Sequence, residues 1–174
     1  MTVTENLDLT AFNALRPTEA ERRLLRCCSV PRWAHQVPAG RPYRSAGSLY
    51  SAADCALIDL TEEELDQAMA GHPRIGEQAA GEHAEGSRRE QSGLRNASAA
   101  TVAALAQRNA EYEDRFGYVY LVSAEGRDGD ELLSVLTHRL GNDAATERAQ
   151  ARTELGKINR IRLRRLIGDV EMST

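Results

Sequence analysis

Apolar positions along this chain recur with a helical period. Between Glu19 and Cys28 they set Leu24, Leu25 and Cys28 on one side, and Pro31 follows where that helix should stop. Trp33–Pro42 is rich in Pro and Gly and reads as irregular. From Ser45 a second helix is predicted, with Leu49, Ala52, Ala53, Ala56 and Leu57 at i, i+3, i+4, i+7 and i+8. Thr61-Glu62-Glu63-Glu64 has the form of a capping box ahead of Leu65, Ala68 and Met69, and Gly71 is placed to close that helix. His72 then falls at the helix end, because the ring of Pro73 pushes the residue before it out of the α region.

Residues 76–86, rich in Gly, Ala and Glu, read as a loop or frayed turn. A helical region follows from Arg88 to Phe116, bent or restarted at Asn96–Ser98. Its second half carries Val102, Leu105, Ala106, Tyr112 and Phe116 in a stripe, with Asn109 embedded and Gly117 placed as the C′ residue. Tyr118–Val122 has strand-like composition. With no partner segment of that kind, it predicts a buried extended crossover rather than a sheet. Gly126–Asp130 is turn chemistry before a helix bearing Leu132, Leu133, Val135, Leu136 and Leu140, which Gly141-Asn142 ends. Asp143 can cap a final helix running to about Ile167, its apolar line including Leu155, Ile158 and Leu166. The expectation is an all-α fold, one compact domain of about seven or eight helices over residues 1–174.

Composition narrows the function classes. The 174 residues are 41% hydrophobic and 28% charged, which suits a soluble globular chain and argues against wholesale disorder. A formal charge of −4 gives no general pull toward nucleic acid or an anionic membrane. No apolar run approaches the ~18–20 residues of a membrane span. The first residues lack the basic and apolar regions of a secretory signal, and Met172-Ser173-Thr174 is not a peroxisomal address, so the expected compartment is the cytoplasm. Three cysteines without Cys-x-x-Cys spacing support neither a disulfide framework nor a structural zinc site. His35, His72, His83 and His138 lack zincin-type pairing, and no metal is expected.

The candidate chemistry lies in His72-Pro73-Arg74-Ile75-Gly76-Glu77 and Ser87-Arg88-Arg89-Glu90-Gln91. An imidazole exchanges protons near neutral pH, and a nearby carboxylate can orient and tune it. His72 also has a structural explanation, as a polar residue complementing a helix C-terminus. Arg74 and Glu77 read as solvated charges. Ser87-x-x-Glu90 matches a capping box, and the same helix start offers free N–H groups to an anionic ligand. Arg162 stands between Ile158 and Leu166 on the apolar line of the last helix. There it is a candidate clamp for a substrate carboxylate, or a snorkelling side chain.

Longer motifs join these. They are Phe12-Asn13-Ala14-Leu15, Cys27-Cys28-Ser29-x-x-x-Trp33, Arg41-Pro42-Tyr43, His72-Pro73-Arg74-Ile75-Gly76 and Ser87-x-x-Glu90-Gln91-x-Gly93-Leu94. Asn109-x-x-Tyr112-x-x-x-Phe116-Gly117-Tyr118-x-Tyr120, Arg139-Leu140-Gly141-Asn142 and Glu154-x-x-Lys157-Ile158-x-x-x-Arg162-Leu163 complete the set. In this order and spacing the chain resembles the 2-oxo-4-hydroxy-4-carboxy-5-ureidoimidazoline decarboxylases, the last enzymes in conversion of urate to S-allantoin.

The resemblance implies an all-helical, usually dimeric carboxy-lyase that uses neither metal nor organic cofactor. It implies that His72 is the principal acid–base residue with Glu90 beside it. Pro73, Ser87, Gln91 and Arg162, with backbone groups of Val119, Tyr120, Leu121, Val122 and Ser123, would hold the ureidoimidazoline substrate. Neither nucleic acid nor membrane is an expected partner. Family members often carry Phe shortly after the Phe-Gly pair, where this chain has Tyr118 and Tyr120, and a buried extra hydroxyl needs a partner. The rival expectation is a non-catalytic helical interaction domain on the same scaffold.

Overall fold

A computed structural model describes residues 7–77 and 91–169 of the chain. These form eight α-helices and one 3₁₀ helix, with no β-strand among the described residues. The helices are α1 (Leu9–Ala14), α2 (Pro17–Leu25), α3 (Pro31–Ala39), α4 (Ala46–Ile58), α5 (Glu62–Ala70), the 3₁₀ helix Ser92–Asn96, α6 (Ala99–Phe116), α7 (Gly129–Arg139) and α8 (Ala144–Leu166). The all-α expectation holds. Internal contacts gather the chain into two units, Met1–Leu65 with Gly156–Thr174 and Asp66–Leu155, a division that falls inside α5 and α8.

In the first unit α2 packs on α3 and α3 on α4. The expected stop at Pro31 is instead a start. Pro31 is the first residue of α3, where a missing N–H costs nothing because that donor has no intrahelical partner. The stretch expected to be irregular is therefore helical through Ala39, Pro38 included. Burial accounts for it: Trp33 is fully buried and its Nε1 donates to the Ala53 carbonyl at 3.0 Å. Enclosing an indole of roughly 150–250 Å² stabilises by about 4–6 kcal/mol, against about 3 kcal/mol for a proline inside a helix. Of Leu24, Leu25 and Cys28, expected on one inward side, Leu24 and Cys28 are buried, with Ala20 beside them, while Leu25 is 37% exposed. Arg41 Nη1 donates to the carbonyls of Phe12 (2.9 Å) and Leu15 (2.8 Å), satisfying acceptors at the end of α1.

In the second unit α6 packs on α7, and the 3₁₀ helix also contacts α7. Ile75, Leu105, Tyr112, Tyr120, Val122, Ala124, Leu132 and Leu136 form its core. The helical region expected to bend or restart at Asn96–Ser98 does restart, with Ser98 Oγ accepting from the Thr101 N–H at 3.0 Å as the cap of α6. Gly117 ends α6 at φ +81°, a conformation that favours glycine. Asp128 and Glu131 form a capping box for α7, and Asp143 caps α8 by accepting from Thr146 N–H at 2.9 Å. Gly93 admits no side chain, because a Cβ there would stand 1.9 Å from the Arg127 carbonyl oxygen. Residues 118–124 run extended without joining a sheet, as expected, with Tyr120, Leu121, Val122 and Ala124 buried.

Candidate active site

The His72 segment begins where α5 ends. His72 N–H donates to the Met69 carbonyl at 3.0 Å, closing the last turn, and His72 and Pro73 are half-buried. Gly71 follows directly on the last residue of α5, as expected, and the left-handed conformation in this segment belongs to Gly76, at φ +91°. The reason is a second turn: Glu77 N–H donates to the Arg74 carbonyl at 3.1 Å, reversing the chain with Gly76 inside it.

Among the described residues, Asn109, Glu113 and Gln91 hold this loop. Asn109 of α6 donates through Nδ2 to the Ile75 carbonyl at 3.0 Å. Glu113, one turn further on, accepts from Arg74 Nε at 2.5 Å and Nη2 at 2.8 Å. The Arg74 guanidinium holds the Glu113 carboxyl below the usual carboxylate range. Gln91 Oε1 accepts from the Gly76 N–H at 2.9 Å, while its Nε2 lies a long 3.5 Å from the Arg74 carbonyl. Arg74 is thus on the surface, as expected, but paired. Between the loop and α6 lies a cleft of about 400 Å³, lined among the described residues by Arg74–Glu77, Val102, Ala106, Asn109 and Glu113. Val102 and Ala106, assigned inward by periodicity, are exposed along this cleft.

The other sequence candidates fall in different places. Ile75 shares a core with Tyr120 and Val122, so the loop and the extended segment pack on common ground. Within Val119–Ser123 two peptide groups are already engaged. The Leu121 carbonyl accepts from Arg139 Nη1 at 2.6 Å, and the Ser123 N–H donates to Glu154 Oε2 at 2.8 Å. Arg162 belongs to the first unit, half-buried, with Nη1 donating to the Cys27 carbonyl at 3.1 Å. Ser87 and Glu90 lie outside the described residues.

Sequence reasoning missed a buried polar network beneath the extended segment. Arg139 Nε and Nη2 both donate to Glu147 Oε1, at 2.8 and 2.5 Å. Tyr112 donates its hydroxyl to the same oxygen, and Asn142 Nδ2 donates to Oε2 at 2.9 Å. Burial and then the Glu147 bond push the Tyr112 phenol upward. Burial works against the Arg139 charge, but the Glu147 bonds outweigh it and hold the guanidinium protonated. A signal was present: Arg139 continues the Leu132–Leu136 line of α7, where a charge demands a counter-ion. The Tyr120 hydroxyl is buried with no hydrogen-bond partner among the described residues, contrary to the expectation; the Arg139 guanidinium instead lies over its ring, 4.8 Å from the centroid. Among the described residues no three His, Cys, Asp or Glu side chains converge as a metal site.

Solved structures share this arrangement of helices. An OHCU decarboxylase crystallised in the presence of (S)-allantoin superposes with a TM-score of 0.73 at 25% identity, covering 83% of this chain and 96% of that one. An (S)-allantoin synthase superposes at 0.72 over 90% of this chain and 53% of that one, at 13% identity, a likeness of fold. The fold is the all-helical one those enzymes share. The sequence matches the OHCU decarboxylase profile over residues 13–164, and the chain belongs to that family of decarboxylases.

Among relatives, the 2-oxo-4-hydroxy-4-carboxy-5-ureidoimidazoline decarboxylase of Amia calva is 30% identical over 138 residues, 77% of this chain and 79% of that protein. The decarboxylase of the same name from Haloferax volcanii is 25% identical over 130 residues, 75% of this chain and 77% of that protein. The uric acid degradation bifunctional protein TTL of Arabidopsis thaliana is 29% identical over 148 residues, 82% of this chain. The match spans 46% of that longer protein.

Proposed function

We propose that this chain decarboxylates 2-oxo-4-hydroxy-4-carboxy-5-ureidoimidazoline to (S)-allantoin and carbon dioxide in urate degradation, as a cytoplasmic homodimer acting as one catalytic domain. The observation that supports this most is the His72–Glu77 signature loop, held as a fixed turn against α6 in a chain matching the family over residues 13–164. No helix among the described residues is long and apolar enough to cross a membrane.

The chemistry follows from the substrate. Its departing carboxylate sits on a ring carbon conjugated with imine and carbonyl groups. When that carbon–carbon bond breaks, the electron pair left behind spreads into the ring, so no pyridoxal or thiamine sink is required. His72, oriented by Glu90, would remove the substrate hydroxyl proton or return a proton to the carbanion from one face, giving a single enantiomer. Pro73, Ser87 and Gln91 would border the ligand. Since Leu121 C=O and Ser123 N–H are already engaged, recognition by the extended segment would fall mainly to its other peptide groups. Gln91 Oε1 is likewise occupied by Gly76, so Gln91 would act partly by shaping the loop.

The test is a coupled assay in which uricase and hydroxyisourate hydrolase generate the substrate from urate, followed by circular dichroism. Adding this protein should speed the appearance of one allantoin enantiomer. Racemic product at the spontaneous rate would overturn the reading and leave a helical interaction domain.

A further inference from the structure

We propose that Asn109 is a positioning residue for the decarboxylation: by holding the Ile75 carbonyl it fixes the loop on which His72 stands. The inference rests on the acid–base role proposed for His72. Asn109 lies in the middle of α6 and is 2% exposed. Its Nδ2 reaches across 34 residues of sequence to Ile75 O at 3.0 Å, whereas its Oδ1 is buried without a hydrogen-bond partner among the described residues. A leucine of similar size would spare the core that unpaired oxygen, but would leave the Ile75 carbonyl buried with no donor. Such a carbonyl must find water or another partner, and the loop would move to do so.

The movement would reach His72. Pro73, next to it, has a ring-fixed φ that makes the short path from residue 72 to residue 75 stiff. Gly76 fixes the other side of the turn at φ +91°. The two other anchors among the described residues, Gln91 on Gly76 and Glu113 on Arg74, are bonds at exposed positions, where water competes. Asn109 makes the buried one.

The experiment compares wild type with N109L in the full chain. Activity in the coupled assay is read as kcat and KM separately, and the His72 imidazole is followed by NMR, its resonances assigned by their loss in His72→Ala. Displacing an acid–base group should lower kcat about 10–100-fold with KM little changed, and should shift the His72 resonances. The Trp33 indole N–H, bonded to Ala53 in the first unit, should not move. A folded N109L protein with wild-type His72 resonances, or with wild-type kcat, overturns the proposal. If N109L does not fold, N109A, which removes the donor without adding bulk, reports the same quantities with the same outcomes. A wild-type protein without decarboxylase activity overturns the functional reading instead, and the His72 resonances then still decide whether Asn109 holds the loop.

Discussion

Arg139, the last residue of α7, and Glu147, in the first turn of α8, form an ion pair whose side chains are 4% and 0% exposed. Tyr112 and Asn142 also donate to Glu147, and Arg139 Nη1 donates to the Leu121 carbonyl. Removing one partner strands the other charge in the core, at a cost of about 3–5 kcal/mol. R139M and E147L should each lower unfolding free energy in urea by about that amount. The double variant should lose much less than the sum. Additive losses would show that the two charges do not depend on each other.

His72 is half-buried at a helix end, so its side chain contributes little to packing. His72→Ala should therefore keep the wild-type melting temperature while turnover of freshly generated substrate falls about 10²–10⁴-fold, the usual weight of a general acid–base group. Near wild-type turnover would remove His72 from the mechanism.

Arg162 poses a different question. Clamping the carboxylate that leaves would stabilise the ground state and slow its loss, so the substrate contact that the family resemblance implies for Arg162 would be to a group that stays. R162K should then raise KM about 10–100-fold, the weight of a charged hydrogen bond, with kcat little affected. A fall in kcat alone would place its effect on charge that develops later.

The Glu113 carboxyl is held below its ordinary value by Arg74, so its contribution is present above the unfolded-state value of about 4.5 and fades as pH falls through the folded one. Acidification below that value should loosen the Gly76 turn, seen as faster amide exchange at Glu77 relative to α7. In Glu113→Gln the turn should already be loose and its exchange no longer respond to acid. An identical response in both proteins would exclude this pair as the cause.

Burial pushes the Cys28 thiol up to about 11, so it stays protonated and unreactive, and Cys27 is buried as well; Cys55 is exposed. A thiol reagent at pH 8 should modify Cys55 alone in the folded protein and the other two only after unfolding. Prompt labelling of Cys28 would mean that the segment between α2 and α3 opens readily.

Helix positions on α4 to α8 were legible because apolar periodicity and local caps such as Thr61–Glu64 and Asp128–Glu131 act within one turn of chain. The α3 helix was not, since Trp33 and Ala53, twenty residues apart, decide it by burial. The signature loop could be recognised by its residues, yet its anchors could not. Asn109 to Ile75 spans 34 residues and Arg74 to Glu113 spans 39, and no local pattern encodes such pairs.

Gly93 has a reach beyond its own turn. With the Arg127 carbonyl pressed where a Cβ would stand, even an alanine would wedge the 3₁₀ helix away from the residues ahead of α7. Gln91 is two positions upstream, its amide on Gly76, so the lever would end at the signature loop. A methyl group at position 93 should thus register first as a defect in the shape of the Gly76 turn.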